Sequence, residues 1–94
     1  MRELTLDEFA AREGQAFELV LGEERSFPFT LARVRPLRDS GRAGGAFVLD
    51  WVGPYEPVLP QDIYTFRHEG ETYEMFIVPV KQDRAGTQYE AIFN

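Results

Sequence analysis

Asp62-Ile63-Tyr64-Thr65-Phe66-Arg67-His68-Glu69-Gly70-Glu71-Thr72-Tyr73-Glu74-Met75-Phe76-Ile77-Val78-Pro79-Val80 reads as two strands joined by a tight turn. Glu69-Gly70 supplies the turn, because glycine enters the positive-φ region that a two-residue hairpin needs. The first arm runs from Asp62 to His68 and the second from Glu71 to about Val80. In the second arm Tyr73, Met75 and Ile77 share one parity, while Phe76 and Val78 hold the other. A strand that is apolar on both parities is expected to be covered on both faces.

Upstream, the same period of two recurs. Phe17, Leu19 and Leu21 alternate, Gly22 to Arg25 read as a turn, and Phe27, Phe29 and Leu31 alternate again. The pattern slips at Ala32, where Val34 takes the apolar place expected at 33, and a β-bulge produces such a slip. Pro28 and Pro36 place this strand at an edge, or break it at both ends. Residues 38–46 form a polar, glycine-rich loop. Phe47, Leu49 and Trp51 then mark a third strand. Pro54, Pro57 and Pro60 stiffen a loop around Tyr55, Lys81 to Gly86 reads as another loop, and Thr87 to Phe93 is the last strand.

The N-terminus breaks the alternation. Thr5 and Glu8 have the spacing of a capping box, with Leu4 and Phe9 placed as a hydrophobic staple. A short helix is expected from Leu6 to about Glu13, stopped at Gly14. Two turns are marginal in isolation, so Leu6, Phe9 and Ala10 must dock, and the helix is expected to plug one open end. Six strands and one helix give a mainly β domain (α+β by strict count). The expected architecture is a small antiparallel β-barrel or a two-layer sandwich. Residues 1–94 read as a single domain with no internal repeat.

Composition narrows the function. The 94 residues are 44% hydrophobic, 28% charged and 14% aromatic, a globular balance. The net charge of −6 argues against a nucleic-acid binder, which needs a cationic face. No apolar run approaches the roughly 20 residues of a membrane helix, and Met1 to Glu8 lacks the apolar core of a signal peptide, so neither a membrane nor export is expected and the location is read as cytoplasmic. Cysteine is absent, which removes disulfides and thiolate chemistry.

The charge is uneven. Arg25, Arg33, Arg35, Arg38 and Arg42 face only Asp39 in residues 25–42, between two acidic segments. Either these arginines pair with carboxylates on neighbouring strands, or they form a patch for an acidic partner.

Catalytic constellations are sparse. His68 is the only histidine, and no zinc or calcium spacing accompanies it. Ser26 and Ser40 lie outside any G-x-S-x-G setting, so no nucleophile elbow is present. Gly41-Arg42-Ala43-Gly44-Gly45 lacks the ending of a phosphate-binding loop. Asp50, Glu74 and Glu90 form the one carboxylate set that could share acid–base work, if they converge with His68. No catalytic, metal or cofactor residue is assigned. The candidate partner contacts are Tyr55 and Pro54 on the stiff loop, Arg33, Arg35 and Arg38 on the basic segment, and His68. Aromatic groups on rigid loops lose little entropy on binding.

Several stretches carry a family likeness: Thr5-Leu6-Asp7-x-Phe9, Gly14-x-x-Phe17, Phe47-x-Leu49, Gly53-Pro54, Leu59-Pro60-Gln61-x-x-Tyr64, His68, Phe76-x-Val78-Pro79-Val80 and Tyr89-Glu90-Ala91-x-Phe93-Asn94. Together they resemble a family of roughly 90-residue bacterial domains of unknown function, similar along nearly the whole chain. The one departure is Asp62, where the family pattern has glycine after the Leu-Pro-Gln turn. The resemblance implies no catalytic residues. It implies an accessory or structural protein of a phage-tail-like system, incorporated into a phage-derived particle, with a tail-collar-like fibre protein as partner.

The function expected is therefore a non-catalytic β-domain that binds protein. Two rivals are a small-ligand barrel whose mouth is lined by Arg33, Arg35, Tyr64 and His68, and a carboxylate-dependent enzyme. No cofactor is expected, and the oligomeric state is open.

Overall fold

The structure, a computed structural model, describes residues 4–37 and 46–93. The elements in chain order are α1 (Leu6–Ala10), β1 (Ala16–Leu21), β2 (Arg25–Leu37), β3 (Ala46–Gly53), β4 (Asp62–His68), β5 (Glu71–Asp83) and β6 (Gly86–Phe93). The six strands form one antiparallel sheet that closes on itself in the order β1-β2-β3-β6-β5-β4. Pairing of Glu18, Leu19 and Val20 with Arg67, Phe66 and Thr65 closes the ring. Of the two expected architectures, this is the closed one.

The sequence shows no repeat, yet the topology repeats. β1-β2-β3 and β4-β5-β6 are both three-stranded meanders built on a 13-residue middle strand. Each middle strand slips register against its third strand, between Leu31 and Arg33 in β2 and between Pro79 and Lys81 in β5. The halves meet at β3 and β6, where Trp51 pairs with Tyr89.

The bulge expected at Ala32 is thus present. The edge position expected for β2 is not: this strand pairs with β1 over 25–30 and with β3 over 30–37. Pro28 lies where only β1 is beside it, opposite Glu18, and Pro36 where only β3 is, opposite Phe47. Each proline is locally at an edge, so its missing N–H removes no ladder bond on the open side.

The ring is filled. Trp51, Phe17, Phe29, Phe66, Tyr73 and Tyr89 are all essentially inaccessible. The indole of Trp51 sits 4.9 Å from the Phe17 ring, edge to face, and 4.6 Å from Phe66. Helix α1 closes one end. Thr5 caps it by accepting the Glu8 N–H, as the capping box requires. Phe9 inserts among Phe17, Phe47, Tyr73 and Phe93, with ring centroids 5.4–6.4 Å away. The helix is shorter than expected and Ala10 stays exposed. The chain leaves the helical path because Gly14, at φ 89°, donates its N–H to the Leu31 carbonyl, and Leu31 donates back to Gln15. The other end is crossed by residues 54–61, where Leu59 donates its N–H to the buried Tyr89 hydroxyl and Tyr64 donates to the Pro60 carbonyl.

The expected Lys81–Gly86 loop shrinks to a turn at 84–85, since β5 continues to Asp83. Glu69 (φ 50°) and Gly70 (φ 82°) form the hairpin as read from sequence.

Candidate functional site

With the interior full of side chains, chemistry and recognition fall to the outer face. The two bulges decide what stands there. In β2 the inward residues before the bulge are Phe27, Phe29 and Leu31, so an unbroken alternation would drive Arg33 and Arg35 into the core. The extra residue Ala32 shifts the parity, placing Arg33 opposite Asp50 and Arg35 opposite Val48, both outward. In β5, Val80 does the same for Lys81, which comes out opposite Gln88. Burying an unpaired guanidinium or ammonium would cost several kcal/mol (roughly), so each bulge is what lets these sequences fold as continuous strands.

Arg35 is the centre of a charged cluster. Its Nε donates to Asp50 Oδ2 at 2.7 Å and its Nη2 to Asp50 Oδ1 at 2.9 Å, a bidentate pair. The same Nη2 reaches Glu90 Oε2 at 3.1 Å. Asp50 and Glu90 are direct cross-strand partners on β3 and β6. The hydrogen bond to Asp50, followed by the fields of Asp50 and Glu90, outweighs desolvation and holds the guanidinium above its ordinary pKa. Arg33 Nε stands 3.6 Å from Asp50 Oδ2 with its side chain 64% exposed. These groups, with Ala32, Val52, Val80 and Gln88, line an open groove of about 480 Å³ between the two bulges.

Of the candidate contacts, Arg33 and Arg35 share one surface and Pro54 and Tyr55 another, and Arg35 is consumed by two carboxylates. Arg33 and Arg35 therefore face carboxylates on neighbouring strands, while Arg25 lies over the Phe27 ring of its own strand. Arg38 lies outside the described residues. Tyr55 is exposed on the loop at the far end of the ring, its carbonyl accepting from Gln82 and Thr87, with Pro54 half-buried beside it. His68, expected as a contact, points inward instead. It shares the inner parity of β4 with Tyr64 and Phe66, stacks on Phe17 at 4.3 Å, and holds Nδ1 3.8 Å from Glu69 Oε1.

Arg33, Arg35, Tyr64 and His68 do not meet at a mouth. Tyr64 lies under the 54–61 loop and His68 by the opposite hairpin, while both arginines are outside. Burial raises the Tyr64 phenol above its ordinary pKa, with Asp62 and Tyr89 adding to the effect. The carboxylate set also divides. Asp50 and Glu90 converge on Arg35, Glu74 faces outward opposite Thr65, and His68 is inside. Among the described residues, no group of three or more His, Asp or Glu could hold a metal ion. No helix there is long and apolar enough to cross a membrane.

Residues 4–93 match the family described as a domain of unknown function, DUF6916. The chain belongs to that family. No curated protein and no solved structure matches it. The DUF6916 match covers every strand described above.

What the residue reading missed is an apolar outer face. Ile63, Phe76, Val80 and Ile92 are 62%, 49%, 48% and 55% exposed. Ile63 and Phe76 are direct partners on β4 and β5. The β5–β6 ladder ends at the Val78–Glu90 pair, and Phe76 and Ile92 follow two residues past it on the same outer parity, Phe76 paired to β4 and Ile92 to β3. The signal was the double-parity apolar pattern of β5, taken above to mean cover on both faces. In a single-layer ring only one parity has a core to enter, so Phe76 is left outside.

The charged cluster makes a stability prediction. Arg35→Met removes the guanidinium that Asp50 and Glu90 share and leaves only the exposed Arg33 beside Asp50, at an expected cost of about 1–2 kcal/mol, between exposed and buried pairs. Adding Glu90→Gln should return about half of that loss. Urea unfolding of the three proteins checks it. A single variant as stable as the parent would show the cluster to be ornamental.

Proposed function

We propose that this chain is a non-catalytic β-domain that acts by binding another protein through the outer face of β4, β5 and β6. The observation that carries this reading is the set of exposed apolar side chains on the outer parity of these strands, the cross-strand pair Ile63 and Phe76 together with Ile92. Contiguous apolar patches on small proteins are commonly interaction sites. Here the patch stands beside the hydrogen-bonded Arg35–Asp50–Glu90 cluster, which matches the apolar centre and polar rim of protein interfaces. The setting is an accessory or structural role in a phage-tail-like, tail-collar-fibre system, made in the cytoplasm and carried into the particle. That setting is supported by the likeness of the Leu59-Pro60-Gln61 turn and of the ending Tyr89-Glu90-Ala91-x-Phe93-Asn94.

The test is capture of the partner from the native host by the wild-type chain and by Phe76→Ser/Ile92→Ser. Both substitutions remove exposed apolar surface, so the thermal midpoint should stay within a few degrees. Loss of a partner held by wild type, with folding intact, is the expected result. Equal capture by both proteins, or none by either, would defeat the reading.

A further inference from the structure

We propose that Glu13 is an autoinhibitory cap on the open edge of β2. Its carboxylate holds the one N–H through which a second copy of this chain could pair there, strand to strand. This device lies away from the binding face proposed above, on β4, β5 and β6, and stands or falls separately from it.

Closure of the ring leaves β2 one-sided twice. Residues 25–29 have only β1 beside them in the ladder, and residues 33–37 only β3. A one-sided stretch presents backbone groups on which a further strand can add. Successive residues of a strand turn their N–H and C=O to opposite sides, so only alternate residues face the open side.

Over 25–29 the facing residues follow from Leu31. It donates its N–H to Gln15 and accepts from Gly14, both on the β1 side. Phe29, Phe27 and Arg25 turn the same way, in unbroken register with β1. Pro28 and Ser26 then face the open side. Pro28 has no N–H to offer, which leaves Ser26, near the β1–β2 turn, as the one donor.

Over 33–37 the facing residues follow from Val34. Its N–H points away from β3, because Glu13 Oε2 accepts it at 2.8 Å. Arg33, Arg35 and Leu37 therefore turn to β3, and Pro36 shares the open side with Val34. Pro36 again has no N–H. Val34 is the single donor of this edge, and it is taken. Glu13 is held in place by its neighbour, since Gly14 donates to Leu31, three residues before Val34. The carboxylate stands where the carbonyl of an added strand would stand.

The occupant this excludes is a second copy. The edge is self-complementary. With Val34 opposite Val34 across a two-fold axis, each copy would donate its N–H to the other's carbonyl, the same patch serving on both sides. Two copies would also bring their Glu13 carboxylates together, on chains of charge −6. A filled donor and a like-charge clash both act against that one pairing.

The test compares the full wild-type chain with Glu13→Ala, Glu13→Gln and Glu13→Ala/Pro36→Val. Hydrogen exchange of the Val34 amide is followed by NMR at low and high protein concentration, and mass is followed by light scattering. In dilute solution Glu13→Ala should exchange the Val34 amide at least about tenfold faster than wild type. Glu13→Gln keeps an acceptor oxygen and should fall between the two. The double variant gives the edge a second donor. Its mass should rise toward twice that of the monomer with concentration, and its Val34 amide should become protected again as it does so. Wild type should show neither change. Glu13 and Pro36 are both exposed, so folding should survive. If Pro36→Val prevents it, the concentration dependence of Val34 exchange in Glu13→Ala decides alone. Equal Val34 protection in wild type and Glu13→Ala would overturn the proposal, because Glu13 would not be holding the N–H. Fast Val34 exchange that no concentration slows would overturn it too, because the uncapped edge would not pair. So would Val34 protection that rises with concentration in wild type as much as in the variants, because the cap would not inhibit.

Discussion

Gly86→Ala is expected to destabilise the chain by about 3–5 kcal/mol, a large share of the roughly 5–15 kcal/mol that holds a domain of this kind together. Gly86 opens β6 with φ at 135°, where a side chain is strained before any contact is counted. A Cβ there would also stand 2.1 Å from the Gly53 carbonyl oxygen and 3.4 Å from Val52 Cγ1. The carbonyl belongs to backbone and cannot rotate away, so β3 and β6 must separate where Gly53 pairs with Thr87. That seam joins the two meanders. The thermal midpoint should fall by ~15 °C or more, read by circular dichroism. A fall of only a few degrees would mean that the strands do not approach as closely as described.

Phe9→Ala should cost a similar amount, about 3–5 kcal/mol, by removing a fully buried ring. Its reach is wider than one cavity. Helix α1 has five residues, too few to persist without docking, and Phe9 is its one buried side chain. The ring touches aromatic partners on β1, β3, β5 and β6. Without it the helix loses its anchor and the end of the ring opens over Phe17 and Tyr73. Hydrogen exchange should then quicken at the Ala11 and Arg12 amides, which donate to helix carbonyls. Phe9→Leu, which refills most of the space, should recover more than half of the lost stability. A Phe9→Ala protein within about 1 kcal/mol of wild type would show that the helix is not a plug.

How much of this was legible depended on whether the signal was local. The Glu69-Gly70 hairpin, the Thr5 cap and the bulge at Ala32 are each written within a few residues, and each is present. The matching bulge at Val80 was hidden, because Val78-Pro79-Val80 is apolar on both parities and a slip leaves no mark. The helix was read too long because the competing bond to Gly14 comes from Leu31, seventeen residues away in the chain. The prolines of β2 misled for a related reason. A strand shared between two neighbours has local edges in its middle, which depends on where β1 ends and β3 begins.

The candidate site was the least legible part. Ion pairing of the arginines was one of two open readings, but the second carboxylate on Arg35 comes from Glu90, 55 residues along the chain, through a β3–β6 pairing that no local pattern encodes. His68 looked like a surface group beside a turn. Its parity on β4 sends it inward, where Phe17 covers it. Ile63, Phe76 and Ile92 were visible as apolar residues, and only closure of the sheet into one ring leaves them on the outside.

The central claim is that this outer face, and neither the arginine strand nor the Tyr55 loop, is where the chain meets its partner. The most direct measurement is photo-crosslinking in the native host, with a photoreactive amino acid placed in turn at Phe76, Ile92, Arg33 and Tyr55. The account predicts one adduct of defined mass from positions 76 and 92, and none from positions 33 and 55. A defined adduct from Arg33 or Tyr55, with none from Phe76 or Ile92, would contradict it.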